Sequence, residues 1–298
     1  MRRRFVTLDV FTEKRFAGNP LAVVLEPDGL ETAAMQAIAR EFNLSETVFV
    51  FAPEDKANRA KLRIFTPGRE LPFAGHPTVG TAVVLGRLDG GVGEQSIALE
   101  EKVGLVPCRV ESTGTDSGRA TFELPRLPEI AGEASDNAAI AAALSISASD
   151  IGAGGWAVQR WSAGNPFTIV PVRSLEVVAK SHPDMAHFEG AFGGGFAAPF
   201  VVCRQAVEAG HDFHARMFAP GVGVAEDPAT GSAAAAFAGY LALHGGCRDG
   251  AHTLRIEQGY EMGRPSVMEL TLDISGGKLT GASIGGSAVV VSEGTIEA

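Results

Sequence analysis

Cysteine is scarce in this chain. Cys108, Cys203 and Cys247 are three in 298 residues, far apart and without a C-x-x-C pair, which excludes a disulfide framework and argues against a structural zinc. The seven histidines are equally scattered, with no H-E-x-x-H or H-x-H spacing, so no ligand set for a first-row metal is apparent. Basic residues are also in deficit: 25 Lys and Arg stand against 35 Asp and Glu, a net charge of −10. Binding to nucleic acid or to an anionic membrane needs a concentrated basic patch and is not expected here. Long apolar runs are missing too. The longest small-apolar stretch, Ala233 to Leu243, has 11 residues, about half of the roughly 20 that a membrane-spanning helix needs, and it reads as a buried helix. Three arginines open the chain in MRRRFVTLDVF, but Asp9, Glu13 and Lys14 interrupt any run long enough for a signal peptide, and a cytoplasmic location is expected.

What the chain does have is apolar material and a repeat. With 45% hydrophobic and 20% charged residues over 298 positions, two cores of roughly 150 residues are the natural division. AGNPLAVV at Ala17 to Val24 returns as AGNPFTIV at Ala163 to Val170, near the middle of the chain. RIFTP at Arg63 to Pro67 is echoed by RMFAP at Arg216 to Pro220. Three more inserted residues bring Glu70 onto Glu226, Pro72 onto Pro228, Gly75 onto Gly231 and His76 onto Ser232. Periodicity predicts a helix in ETAAMQAIAREFN, strands at Thr47 to Phe51 and Leu62 to Phe65, strands through SIALEE, GLVPCRVES and RATFELP, and a helix over AAIAAALSISASDI. A helix follows Gly75 and another follows Gly231, each with a polar residue at its start. Such helix ends carry unpaired N–H groups and partial positive charge and attract anions. If the halves face each other, both ends would hold a substrate carboxylate in one cleft.

Several motifs have plain structural readings as well. GVGVAEDPATGSAA lacks the lysine of a phosphate-binding loop and places Glu226 where a dinucleotide fingerprint needs glycine, so nucleotide chemistry is not expected. His76 could cap or pack against its helix, Asp227 could bond its own turn, and Ser232 would serve as an N-cap. Glu46, between a polar turn and an apolar strand, could be a solvated acid or a partly desolvated general base.

Together DVFTEKRFAGNPLAVV, EFNLSETVFVF, RIFTPGRELPFAGHPTVGTA, GVAEDPATGSAA and IEQGYEMGRPS resemble the PhzF-like family of phenazine-biosynthesis isomerases, which shares its fold with diaminopimelate epimerase. The resemblance implies an α/β (α+β) fold of two pseudo-symmetric halves, each a curved mixed sheet or barrel around a central helix, with the active site in the cleft between them. It implies halves at 1–128 and 129–280, the first completed by a C-terminal strand at 281–298. Carried over residue by residue, the catalytic glutamate falls on Glu46, and substrate contacts fall on His76, Asp227 and Ser232, with Gly75 and Gly231 allowing close backbone approach. No cofactor or metal is implied. The partner is a small carboxylate such as trans-2,3-dihydro-3-hydroxyanthranilate, from which the glutamate takes a proton at C3 and returns it at C1; a homodimer is also implied. Loops such as Phe192 to Phe200 would discriminate among ring substrates. Epimerases of this fold use a cysteine pair at the two helix starts; here His76 and Ser232 stand there, which disfavours two-thiol stereoinversion. Two alternatives stay open: a non-catalytic carboxylate-binding or interaction protein on the same fold, and an epimerase with non-cysteine bases.

Overall fold

The computed structural model of the protein describes residues 1–90, 93–193 and 197–298, with the side chains of 153 and 222 left aside. Residues 194–196 of the Phe192 to Phe200 loop therefore lie outside the described residues. The chain divides into two compact units, Met1–Pro125 with Ile284–Ala298, and Arg126–Ser283.

The first unit runs β1 (Arg2–Val10), β2 (Asn19–Leu25), α1 (Thr32–Phe42), β3 (Glu46–Phe51), β4 (Ala60–Phe65), β5 (Glu70–Leu71), α2 (Gly75–Leu88), β6 (Glu94–Glu101), β7 (Gly104–Ser112) and β8 (Ser117–Glu123). β1 and β2 are antiparallel, β2 and β3 parallel, β3 and β4 antiparallel, β4 and β6 parallel, and β6, β7 and β8 antiparallel in turn. α2 is buried from Gly75 to Gly86, so it reads as apolar and small all round rather than amphipathic. Its approach to the sheet is tight. A Cβ on Gly80 would lie 2.5 Å from Leu21 Cδ2 and 2.8 Å from Val10 Cγ2, and only hydrogen fits there. α1 covers the outside of the sheet, packing Met35 and Ala39 against Val24, Phe49 and Phe65.

The second unit repeats this plan. It contains β9 (Glu129–Ile130), α3 (Asn137–Leu144), β10 (Gln159–Ser162), β11 (Pro166–Pro171), α4 (Leu175–Lys180), α5 (Met185–Phe192), β12 (Ala198–Cys203), β13 (Phe213–Ala219), β14 (Val224–Asp227), α6 (Gly231–His244), β15 (Gly250–Gln258) and β16 (Ser266–Ser275). β10 and β11 are antiparallel, β11 and β12 parallel, β12 and β13 antiparallel, β13 and β15 parallel, β15 and β16 antiparallel. α6 is 14 residues long, as α2 is, and its Phe237 stacks with Tyr240 and meets Phe200, Phe213 and Trp156 edge-on or tilted. The helix predicted to run through Ile151 stops at Leu144 instead. Ser145 turns left-handed, with φ at 55°, and its N–H closes the last turn, which lets Ile146 pack back onto the core formed by α3 and α5.

The last strand, β17 (Lys278–Glu297), passes from the second unit into the first. There it lies antiparallel to β1, from Arg2 opposite Glu297 to Val10 opposite Ala288, and also pairs with β8. β17, β1, β2, β3, β4, β6, β7 and β8 thus close into an eight-stranded barrel around α2. A barrel has no free edge, so no strand of it is left to pair with another chain.

The approach to each central helix is braced by a two-toothed ion pair. Arg63 Nε reaches Glu70 Oε1 at 2.8 Å, with a second bond to Oε2 at 2.9 Å; Arg216 reaches Glu226 at 2.7 and 2.8 Å. The second pair is less exposed, 10% and 16% against 25% and 23%, and Arg216 Nη1 also donates to the carbonyls of Val178, Ala179 and Ser181. Removing one partner of a nearly buried pair leaves the other charge stranded. Glu226→Gln is therefore expected to cost about 3 kcal/mol and Glu70→Gln about 1 kcal/mol, read as urea midpoints at unchanged slope.

Candidate active site

In the first unit, strand register brings the site together. β2 and β3 run in parallel with Leu21 opposite Glu46, so Glu46, at the first position of β3, lies beside the Pro20 end of β2. α2 begins at Gly75 after the extended Ala74, which makes His76 its second residue. His76 Nε2 lies 3.2 Å from Glu46 Oε2, with the two side chains 4% and 15% exposed. This contact is not an ion pair. Burial pushes the imidazole down to about 3, although a bond to the Pro20 backbone works the other way, so the ring is neutral at physiological pH. Nε2 itself makes no aligned hydrogen bond. The ring nitrogen that donates to the Pro20 carbonyl is accordingly Nδ1, and Nε2 turns its lone pair toward Glu46. The lone pair can accept a hydrogen bond from a protonated Glu46 without taking its proton.

In the second unit the chemistry gathers where β14 meets α6. Asp227, 8% exposed, ends β14, and its Oδ2 accepts the Thr230 hydroxyl at 2.6 Å. Gln258, fully buried at the end of β15, holds the same turn. Its Oε1 accepts the Thr230 N–H at 3.1 Å, while its Nε2 donates to the Asp227 carbonyl at 2.6 Å and to Thr230 Oγ1 at 3.0 Å. The direction of every bond follows from the first. A backbone N–H can only donate, so the Gln258 oxygen faces it and the amide NH2 faces Thr230 Oγ1; the hydroxyl proton is left to point at Asp227. The next residue, Gly259, has φ of +80°, and a Cβ there would sit 2.6 Å from the Pro228 carbonyl oxygen. The IEQG segment is pressed directly onto the EDPATG turn.

Ser232 does not cap its helix as its position suggests. α6 starts at Gly231 with Thr230 in the cap position, so Ser232 is already the second helical residue, and the cap hydroxyl is committed to Asp227. Neither Ala74 nor Thr230 makes a side-chain cap, and neither helix has an acid in its first turn, which leaves the helix-end charge uncompensated by side chains.

Behind Gln258 lies a second buried histidine in the opposite charge state. His214 Nδ1 is 2.9 Å from Glu257 Oε2 and its Nε2 is 2.9 Å from Glu261 Oε1. Both ring nitrogens meet carboxylates, so both must donate. Burial works against that charge, but the bonds to Glu261 and Glu257 prevail and hold the ring's pKa above its usual value. Glu257 also accepts the N–H groups of Val207 and Glu208 at 2.7 Å each. Among the described residues no cluster of three His, Cys, Asp or Glu side chains is arranged to hold a metal, and no helix is long and apolar enough to cross a membrane.

The residues brought together are thus Glu46, His76 and Gly75 in one unit, and Asp227, Gly231 and Ser232 around one turn in the other. Pro20, Thr230 and Gln258 were not singled out by sequence reasoning. Their signal lay in the AGNP, EDPATGS and IEQG motifs that contain them.

The profile of phenazine biosynthesis-like proteins, PhzC-PhzF, matches residues 8–294. The chain belongs to this family. An isomerase of Mesorhizobium japonicum named as uncharacterized is 49% identical over 298 residues, 99% of this chain and 98% of its own. The trans-2,3-dihydro-3-hydroxyanthranilate isomerase of Pseudomonas fluorescens is 35% identical over 295 residues, 98% of each chain. The crystal structure of the Bacillus anthracis phenazine biosynthesis protein of the PhzF family covers all of both chains with a TM-score of 0.87 at 27% identity. This PhzF-family chain is an isomerase, and its fold is the mixed α/β fold of the family.

A neutral His76 has a stability signature. Its folded pKa lies below the ordinary value of 6.5, so the unfolded chain binds a proton that the folded chain refuses. Below about pH 6.5 wild type should lose stability relative to His76→Asn, by about 1.4 kcal/mol per pH unit. In 15N NMR the ring that disappears in that variant should stay neutral from pH 8 to pH 5.

Proposed function

We propose that this isomerase acts without a cofactor, moving one proton within a small cyclic or amino-acid-like carboxylate such as trans-2,3-dihydro-3-hydroxyanthranilate, with Glu46 as general acid and base. The observation that carries the reading is the 3.2 Å approach of Glu46 Oε2 to the lone pair of a neutral, buried imidazole. A carboxylate that takes a proton from carbon must hold it and release it elsewhere. While Glu46 holds the proton, its O–H can donate to His76 Nε2; once the proton is returned, His76 stays neutral and does not compete for it. In the reaction named by the Pseudomonas fluorescens relative, the proton leaves C3, the electron pair shifts toward C1, the proton returns at C1, and the enol left at C3 tautomerises to the ketone. One carboxyl group carries the proton from C3 to C1, and water exchanges the enol O–H proton for the one that C4 gains, so atoms and charge balance.

His76, Gly75, Asp227, Ser232 and Gly231 are assigned to substrate binding. The main-chain N–H groups that open α2 and α6 suit a carboxylate or a developing oxyanion, and the Asp227 carboxylate, oriented by Thr230 and Gln258, suits an amino or hydroxyl group. The family resemblance extends to a homodimer, which light scattering on the purified protein would test by mass.

Proton NMR with trans-2,3-dihydro-3-hydroxyanthranilate in deuterated buffer tests the assignment. Wild type should convert the substrate, and Glu46→Gln, folded by its melting curve, should be slower by at least about 10³-fold, the scale of general acid–base catalysis. Undiminished turnover in Glu46→Gln removes the base. No turnover by wild type removes this substrate, and other cyclic amino acids then become the candidates.

A further inference from the structure

β6 ends in two adjacent acids with different surroundings. Glu100 accepts the N–H groups of Glu54 and Asp55 at 2.8 and 2.9 Å and the Asn58 amide at 2.8 Å. Glu257 does the same for Val207, Glu208 and His211 in the second unit. Sheet register agrees: Lys61 of β4 stands opposite Glu100, as His214 of β13 stands opposite Glu257. The next residues, Glu101 and Gln258, are therefore equivalent, and each reaches the start of its unit's central helix.

Gln258 does so as a neutral donor. At the equivalent place Glu101 Oε1 lies 2.7 Å from Thr78 Oγ1, and Thr78 Oγ1 lies 2.8 Å from the carbonyl of Ala74, the residue before Gly75 and His76. One hydroxyl proton cannot serve two acceptors. The Ala74 carbonyl accepts the Thr78 N–H at 3.2 Å as well; when the hydroxyl proton also points to it, the hydrogen of the other bond comes from Glu101. The remaining oxygen, Oε2, is buried without a partner, a small cost for a carbonyl oxygen and a large one for half of a carboxylate.

We infer that Glu101 is a neutral carboxylic acid whose proton, donated to Thr78, fixes the first turn of α2 and makes Glu101 a positioning residue for His76. It takes in one unit the place that an amide takes in the other. Burial pushes this carboxyl up to about 8, with the Thr78 bond opposing. Few ionisable groups face it: Cys108 on β7 is itself pushed up by burial and by Glu101, the neighbouring Lys102 is exposed, and Glu70 is taken by Arg63. The functional part of this inference rests on His76 binding substrate; the protonation part does not.

The test uses the full chain labelled with 13C at glutamate side-chain carboxyls and 15N at histidine. The resonance missing from Glu101→Gln should lie at the position of a protonated acid at pH 6 and move to that of a carboxylate above pH 8; a carboxylate position at pH 6 overturns the inference. The folded state keeps a proton that the unfolded chain releases above about 4.5. From pH 5 to 8 the unfolded-to-folded ratio of wild type should thus rise about tenfold per unit relative to Glu101→Gln, whose amide replaces the acid; parallel pH curves overturn it. If Glu101→Gln does not fold, Glu101→Met supplies the assignment and the wild-type titration decides. His76 15N signals that shift with the Glu101 titration in wild type, and stay still in Glu101→Gln, support positioning; signals that ignore the titration overturn it. None of these readouts uses a substrate, so a failed isomerase assay leaves them standing.

Discussion

A helix buried on every side can satisfy its own backbone along its length but not at its first turn. That constraint governs both units. α2 carries Gly, Ala, Val and Thr and approaches the sheet too closely for a Cβ at Gly80, α6 sets Phe237 and Tyr240 among alanines, and neither carries a side-chain cap of its own. The polar groups at their starts are met instead from distant strands: Pro20 meets His76, Glu101 meets Thr78, Gln258 meets Thr230. The place where the fold has a surplus of N–H groups is also where it concentrates polar side chains.

The two units have diverged in charge while keeping a common frame. Each has an arginine and glutamate locked together before the helix, and an acid that ties a loop to the parallel strand pair. Into that frame the first unit places an uncharged imidazole and the second a charged one. Burial alone would neutralise both. Two carboxylates flanking His214, against one carboxyl at 3.2 Å and a backbone carbonyl for His76, decide the difference.

Much of the fold class was legible because a duplicated chain carries its own alignment. RIFTP and RMFAP set a register that put Glu70 opposite Glu226, and the structure gives each of them to the matching arginine. Glu46 and His76 were nameable from the motifs that hold them, but their 3.2 Å contact depends on which strands are neighbours. Residues that act across the sheet were harder. Gln258 lies 28 positions from Thr230 and looks like any polar residue in a strand, and Glu101 is the second of two glutamates at the end of the SIALEE strand. Only the pairing of β4 with β6 and β13 with β15 identifies them. Ser232 shows the opposite case, a good capping residue two positions too late.

The closing strand has a consequence for how the protein is made. β1 leaves the ribosome long before its partner along Arg2 to Val10, the segment from Ala288 to Glu297. The second unit, which ends at Ser283, can assemble while the first still waits for its last strand. Until β17 has emerged, β1 is an open edge, with the pairing hazards such edges carry, and only that strand seals the barrel.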